Sequence, residues 1–575
     1  MDPLFQPGQI GTLQLRNRIV MAPMTTRLAT ADGHVTDATI AYFRARAAGG
    51  AGLLTVEMAS PERVGRHRAH ELGIHDDRFL PGLARLTGVL HEHGAKVSIQ
   101  LGHAGGHTRA DICGETPIAP SALPHHVYEG HGETIVPLAM DRARIEQTIA
   151  AFVDAAARAR RAGFDCVELH AAHGYLLSQF LCPAENRRDD EYGGSLENRA
   201  RIGLRIVRGI KERLPGFPVI YRLSADDLFD GGLRADEAEQ VAQWAAQAGA
   251  DAIHVSAAHY RSQPSAELMI PPMAFPEGVF LPYAQRIRRR VGVPVIAVGR
   301  LGSPAVARAA LAEGRADFIA LGRSLLADPD WPAKVLAGRP VRRCVACNTC
   351  VNDMRGGSRL LCLVNPAAAD ETRFPPGGAS VRGERICVVG AGPAGLSYAL
   401  LAAPANRVTV LERGLVAGGA LRQAGKAPRF QDVAADESAL RRYAEELAAA
   451  CRDAGVDLQF GVDVRREPAR LQGYDRIVVA TGARYRFGLG WLARAMLERG
   501  WARSRLARGL FESGRLRDWL YYRARRPTGA AIARLAAPGQ RVDVIGDAAR
   551  AGKSRDAILS GYRAAYGEPP AAGRG

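Results

Sequence analysis

No run of about 20 apolar residues occurs in this 575-residue chain, so no membrane-spanning helix is expected. Met1 to Ile10 has no basic stretch leading into an apolar one, so a secretory signal is not expected. No internal repeat is present. The cysteines number nine, an odd count with four crowded together, which does not suit a disulfide framework. The expectation is a reducing, cytoplasmic setting. Acidic side chains are outnumbered, 59 against 76 basic ones, giving a net charge of +17. Such an excess can serve nucleic acid, an acidic partner or an anionic membrane surface, or be spread over solvated faces. The last is the reading adopted for most of the chain.

What is present is a globular composition on a chain too long for one domain, so two or three are expected. Over residues 1–340, short apolar runs alternate with amphipathic helical patterns. The strand-like runs are Arg18–Met21, Gly52–Val56, Lys96–Gln100, Cys166–Leu169, Val219–Leu223, Ala252–Ser256, Pro294–Val298 and Phe318–Leu321. Helical patterns include Arg142–Ala162, Ser195–Arg213 and Arg234–Ala248. This α/β alternation predicts a (β/α)₈ TIM barrel, whose chemistry sits at the C-terminal ends of its strands. Those ends supply Ala22-Pro23-Met24-Thr25, Gln100 with Gly102 and His103, the segment His170 to Leu176, Arg222, Gly299, and Gly322-Arg323. The seventh and eighth ends lie where barrels often bind phosphate. Arg222 would set a fixed positive charge near a cofactor that becomes anionic on reduction. Gln100 offers a donor and an acceptor, which suits the edge of a flavin pyrimidine ring. The His170, His173 spacing lacks the carboxylate partner expected of zinc.

Residues 341–375 carry Cys344-x2-Cys347-x2-Cys350 and then Cys362. Four thiolates on short loops can hold zinc or an iron–sulfur cluster, and spacing leaves both open. The remaining Cys113, Cys166, Cys182, Cys387 and Cys451 read as small buried hydrophobes. A Pro/Gly-rich stretch at 374–378 suggests a linker. From 384 to 575 a Rossmann-like domain is expected. Its strand Arg385–Val389 runs into Gly390, Gly392, Ala394 and Gly395, and Glu412 ends a second strand about twenty residues on, as ribose binding requires. Only Ala483 to Asp543 separates Ala480-Thr481-Gly482 from Ile545-Gly546-Asp547, with no second glycine fingerprint between them. Within it, residues 484–526 are rich in arginine and hold Trp491, Trp501, Trp519, Tyr521 and Tyr522. That segment is either a helical lid with packed tryptophans or a basic aromatic surface for a membrane or an acidic protein.

Over roughly residues 3–340 the chain resembles the Old Yellow Enzyme family, at Pro23-Met24-Thr25, His170 to Phe180, Asn186 to Arg199 and Gly322-Arg323. With the cysteine motif and the following Leu363-Val364-Asn365-Pro366, it resembles the subfamily of 2,4-dienoyl-CoA reductase and trimethylamine dehydrogenase. The resemblance implies FMN held by Ala22, Pro23, Met24, Thr25, Met58, Gln100, Arg222, Gly299, Gly322 and Arg323. It implies His170 and His173 on the substrate's carbonyl oxygen, and Tyr175 as proton donor. His259, with Tyr260, stands near the sixth strand end as a further substrate contact. Cys344, Cys347, Cys350 and Cys362 match the ligands of a [4Fe–4S] cluster. Gly390, Gly392, Ala394, Gly395, Glu412, Gly419, Leu421, Thr481, Gly482 and Asp547 would bind FAD, or an ADP moiety alone.

The implied activity is reduction of the C=C bond of an α,β-unsaturated carbonyl or enoyl compound, with electrons passing from FAD through the cluster to FMN. The rival is an amine dehydrogenase that hands electrons to an electron-transfer flavoprotein. Full-length relatives insert a second nucleotide-binding domain, so the short 484–526 segment puts NAD(P)H binding in question and points to a protein electron donor or acceptor. Thr25 stands where trimethylamine dehydrogenase has the cysteine bonded to FMN, and Met58 where an aromatic cage residue would hold a cation. A non-catalytic electron-transfer subunit is the third reading, and the intact Pro23-Met24-Thr25 turn and Tyr175 argue against it. A small-molecule substrate and a homo-oligomer are expected, and a nucleic-acid partner is not.

Overall fold

Eight apolar runs, rich in Val, Ile and Leu, form eight parallel strands: β1 (Ile19–Met21), β2 (Leu53–Ala59), β3 (Lys96–Leu101), β4 (Cys166–Ala171), β5 (Val219–Ser224), β6 (Ala252–Ser256), β7 (Val295–Ala297) and β8 (Phe318–Leu321). Each lies beside the next and β8 pairs with β1, so the sheet closes into the expected barrel. In this computed structural model, residues 2–127, 132–377, 379–486, 489–504, 516, 518, 519 and 522–568 are described. They fall into two units, Met1–Leu336 with Cys350–Leu361, and Ala337–Thr349 with Cys362–Gly575.

In the first unit, an antiparallel hairpin of Gly8–Ile10 and Leu13–Leu15 precedes β1. Its Ile10, Leu13 and Leu15 join Val20, Leu53, Ile220, Ile296 and Phe318 in one buried cluster. These residues lie early in their strands, so apolar packing fills that end and leaves the C-terminal end for polar side chains. Helices α1 (Arg142–Arg161), α2 (Leu196–Arg213) and α3 (Ala235–Gln247) connect strands on the outside. Asp141 and Ser195 cap α1 and α2 by accepting from the backbone N–H of Arg144 and Asn198. On α2, Ile202, Ile206 and Ile210 repeat at helical spacing and are buried.

The second unit contains a parallel five-stranded sheet: β9 (Arg385–Val389), β10 (Arg407–Glu412), β11 (Asp457–Phe460), β12 (Arg476–Val479) and β13 (Arg541–Val544), in the order β11-β10-β9-β12-β13. Cys387, Val389, Leu411, Ile477, Val479 and Ile532 form a core there. Helix α4 (Pro393–Ala402) leaves β9 through the glycine turn, and α5 (Ser554–Ala565) closes the unit. Gly390 has φ +113°, and a Cβ there would meet the Ala480 carbonyl at 2.6 Å.

The 484–526 segment is bounded by a two-stranded hairpin, Ala483–Tyr485 against Arg525–Pro527. Trp491 is 74% exposed, and Trp501, Trp519 and Tyr522 are exposed as well. The expectation of tryptophans packed under a lid therefore fails for these residues. Tyr521, with 487–488, 505–515, 517 and 520, lies outside the described residues. Cys113, Cys166, Cys182, Cys387 and Cys451 are all buried, as lone cysteines are expected to be. Among the described residues no helix is long and apolar enough to cross a membrane.

Candidate active site

Strand register sets a buried polar network across the barrel. Glu168 lies opposite Gln100 between β4 and β3, and Arg222 opposite His254 between β5 and β6. The Gln100 amide donates to Glu168 Oε1 at 2.7 Å, and His254 Nδ1 lies 2.7 Å from Glu168 Oε2. An Arg222 nitrogen is 3.8 Å from Glu168 Oε1. Burial works to raise the Glu168 carboxyl, yet His254, Arg222 and Gln100 hold it below its ordinary value. With one amide N–H committed to Glu168, Gln100 still has its carbonyl oxygen as an acceptor and a second N–H as a donor. Arg222 Nε is buried with no partner among the described residues. These groups fit the edge of a flavin pyrimidine, which offers one N–H and accepts positive charge.

Around them the structure gathers the other barrel residues read from the sequence. Ala22 N–H donates to the Leu321 carbonyl, which puts the Ala22 and Gly322 segments side by side. Ala22 and Met58 are buried, while Pro23, Met24 and Thr25 are half-buried. Thr26 pins this turn, donating to both oxygens of buried Glu57 at 2.6 Å. A Cβ at Gly322 would lie 3.2 Å from Met24 Sδ. Gly299 has φ +117° at the β7 end, and Arg323 donates to the Pro271 carbonyl at 2.9 Å.

At the mouth, the rings of His170 and His173 lie 5.2 Å apart, and His170 lies 4.7 Å from Tyr175. His173 is held in a left-handed conformation, φ +68°, with Nε2 2.7 Å from Ser256 Oγ. Burial first, then the Arg222 charge, pushes both histidines well below their ordinary value, so they stay neutral. Burial and the neighbouring Tyr260 charge push Tyr175 well above its own, so its phenol keeps its proton. The Tyr175 hydroxyl is 3.2 Å from His67 Nδ1. Tyr260 stacks on His107 at 4.1 Å, and the guanidinium carbon of Arg355 lies 5.4 Å from the Tyr260 ring. A cavity of about 340 Å³ opens here, with His107, Gly174, Glu185, Tyr260 and Arg261 in its wall.

His259 stands elsewhere. Ala258 has φ +78°, which reverses the chain after β6 and turns His259 inward. The ring is fully buried, with Nε2 3.4 Å from Glu185 Oε2, and Tyr260 takes the place at the cavity. Cys182, Asp227 and His259 cluster closely enough to suggest a cation site. However, the Arg261 N–H donates to His259 Nδ1, so in the neutral ring Nε2 carries the hydrogen and offers no lone pair. Sequence reading missed His67, Arg68, His107 and Arg355 at the mouth, and Glu168 and His254 beneath it.

In the second unit, a Cβ on Gly395 would lie 2.1 Å from the Gly390 carbonyl, whereas one on Gly392 would meet nothing within 4 Å. The turn thus packs tightly at Gly395 and leaves an open cradle at Gly392, which fits a pyrophosphate. Glu412 accepts from the N–H groups of Ala391 and Gly414 at 2.8 and 2.6 Å. Ala394 is the second residue of α4, and Gly419 lies against Gly392. Leu421 is buried; the Thr481 hydroxyl, beside Gly482, is 2.8 Å from that of Thr528. Asp547 is paired with Arg525 at 2.6 Å, so one arginine of the basic segment is structural rather than solvated.

Cys344, Cys347 and Cys362 fall in the second unit and Cys350 in the first. The Ala346 N–H donates to Cys344 Sγ at 3.3 Å and the Thr349 hydroxyl to Cys347 Sγ at 3.2 Å. Left-handed residues Ala346 and Asn348 wind this loop. Burial, then the charges of Cys344 and Cys347, pushes the Cys362 thiol up to about 12. Crowded thiols bearing N–H and O–H donors suit metal or cluster ligation, which removes the protons.

The profile of the NADH:flavin oxidoreductase / NADH oxidase family matches residues 3–342. The chain belongs to that family. NADH oxidase of Thermoanaerobacter brockii is 38% identical over 488 residues, 84% of this chain and 73% of that protein. Cinnamate reductase of Clostridium sporogenes is 33% identical over 506 residues, 84% of this chain and 74% of that one. The solved structure of histamine dehydrogenase from Rhizobium sp. 4-9 matches with a TM-score of 0.82 at 25% identity, over 100% of this chain and 98% of that chain. This NADH:flavin oxidoreductase relative is therefore a flavin-dependent oxidoreductase of an FMN-binding family. The resemblance read at the barrel strand ends is borne out at that level.

Proposed function

We propose that this flavin oxidoreductase reduces the C=C bond of an α,β-unsaturated carbonyl compound. The observation that carries the reading is the convergence of neutral, buried His170 and His173 with a Tyr175 held protonated. FMN supplies hydride chemistry when bound. Gln100 and Arg222 would hold its pyrimidine edge, and Ala22 to Thr25, Met58, Gly299, Gly322 and Arg323 the rest. His170 and His173 hydrogen-bond the substrate's carbonyl oxygen and stabilise the negative charge that develops there. Tyr175 delivers the proton to the α-carbon. The barrel, 1–340, serves as the FMN domain and 384–575 as the FAD or ADP domain, with 341–375 as the cluster segment. A [4Fe–4S] cluster on Cys344, Cys347, Cys350 and Cys362 would supply one-electron transfer.

Amine dehydrogenation is the second reading. It is supported by the likeness to histamine dehydrogenase and by the missing second glycine fingerprint, and Thr25 and Met58 count against it. One experiment separates the two. The protein is purified without oxygen, its FMN, FAD and iron are assayed, and the chemically reduced form is mixed with 2-cyclohexenone. The oxidised form is mixed with methylated amines. Reoxidation by the enone without bleaching by amines is expected. Bleaching by an amine together with no reoxidation by enones would reverse the assignment, and zinc in place of iron would remove the cluster.

A further inference from the structure

Tyr260 stands beside positive charge that C=C reduction does not itself require. The Arg355 guanidinium lies 5.4 Å from its ring centroid, and His107 is stacked on the ring at 4.1 Å and 15°. Arg68, from the loop after β2, is fully buried at 1% exposure. Its charge reaches His67, His107, Tyr175 and Tyr260. Although burial alone would raise the Tyr260 phenol, the Arg355 and Arg68 charges pull it below its ordinary value. Arg261 stands in the wall of the adjoining cavity. The buried carboxyls nearby do little to offset these cations at neutral pH, because burial pushes Glu71 and Glu185 each up to about 8.

We infer that Arg355, with the buried Arg68 charge behind it, forms an anion subsite beside Tyr260, which selects unsaturated substrates that carry a carboxylate or a group of like charge. The inference rests on the reading of the site as a C=C reductase and deepens it. A desolvated guanidinium gains most from a charge-assisted contact with a carboxylate. The Tyr260 ring face, which would otherwise attract a substrate ammonium, already faces Arg355. The subsite is also separate from the carbonyl donors. Tyr175 lies 4.7 Å from His170 and 5.8 Å from Tyr260, so it stands between the two. One end of the substrate meets His170 and His173, and the anionic end lies across Tyr175 near Tyr260.

The test measures binding and turnover separately on the intact flavoprotein. Benzoate, benzamide and benzylammonium share a ring and differ in charge, and their dissociation constants can be read from perturbation of the flavin spectrum. Benzoate should bind about tenfold tighter than benzamide, with benzylammonium weakest. Arg355→Gln should erase the benzoate preference and Arg355→Lys should retain part of it. Equal binding of benzoate and benzamide by the unmodified protein, or tightest binding of benzylammonium, overturns the subsite without needing any variant. So does a benzoate preference unchanged in Arg355→Gln. Reduction of 2-cyclohexenone with no charge preference would keep the reductase reading and remove the subsite. Benzoate preference with no enone turnover would keep the subsite and remove the reductase reading.

Discussion

Tyr175 is placed by two neighbours, His67 at its hydroxyl and His170 at its ring, and burial keeps its proton on. Tyr175→Phe preserves the ring and removes only that proton. Reoxidation of the reduced protein by an enone should then slow by about 10²- to 10⁴-fold with flavin content unchanged. Rapid mixing followed at the flavin absorbance checks this, and an unaltered rate removes Tyr175 from proton delivery. Glu168 is the corresponding residue beneath the cofactor position. Glu168→Gln keeps the volume and deletes the negative charge opposing Arg222. The barrel flavin's reduction potential should rise, by about 30 mV for each ~1.4 kcal/mol of added stabilisation of the reduced, anionic form. A spectroelectrochemical titration showing a lower potential would refute that role. Gln100, Arg222 and Tyr175 were legible because they fall in or next to the last residues of apolar runs and match the family's pattern there. Glu168 and His254 sit within strands, where a polar side chain is ordinarily read as facing solvent or as a satisfied core group. Arg68, His107 and Arg355 come from loops and a segment without periodicity, and only folding brings them to Tyr260.

At the scale of elements, the turn between β9 and α4 separates two jobs that a glycine fingerprint merges. Gly395→Ala would put a Cβ 2.1 Å from the Gly390 carbonyl, so α4 must move off the sheet. The second unit should lose about 1–3 kcal/mol and release its nucleotide. Gly392→Ala meets no protein atom within 4 Å. It should leave melting nearly unchanged while blocking the close approach of a pyrophosphate. The check is the FAD-to-FMN ratio of released flavin alongside calorimetry of each variant. Retention of full FAD by Gly392→Ala would place the nucleotide elsewhere or exclude it. The strands and helices themselves were readable, since their periods are strong and their caps explicit. Strand ends were less so: β2 runs through Ala59 rather than stopping at Val56, because Met58 and Ala59 resume the ladder after Glu57 is skipped at an irregularity in register. The return strand Arg525–Pro527 was invisible for another reason. Its arginines look like solvated charge until Asp547 is seen against Arg525.

Across the first unit as a whole, the titratable residues at the barrel mouth are buried, and this gives its stability a definite dependence on pH. Burial depresses His67, His103, His107, His125, His170, His173, His254 and His259. These rings take up protons near 6.5 when unfolded but stay neutral when folded, so below 6.5 acid favours the unfolded chain. Glu57 and Asp227 are pushed up to about 7, and Glu71 and Glu185 to about 8. For carboxyls raised in this way, the stabilising contribution is complete below their ordinary values and is lost as pH climbs through the folded ones. Between those ordinary values and 6.5 the two effects oppose each other, and the histidines outnumber the carboxyls. Above 6.5 only the carboxyls still titrate, each worth up to about 1.4 kcal/mol per pH unit. Melting temperature of the barrel unit should therefore peak near pH 6.5 and fall on both sides. Glu71→Gln or Glu185→Gln should flatten the alkaline side and steepen the acid side, where the carboxyl no longer offsets the histidines. Calorimetric scans from about pH 5 to about pH 9 check this. A melting temperature that rises steadily through pH 8 would mean that these carboxyls are ionised in the fold, and that the mouth carries less net positive charge than the anion subsite needs.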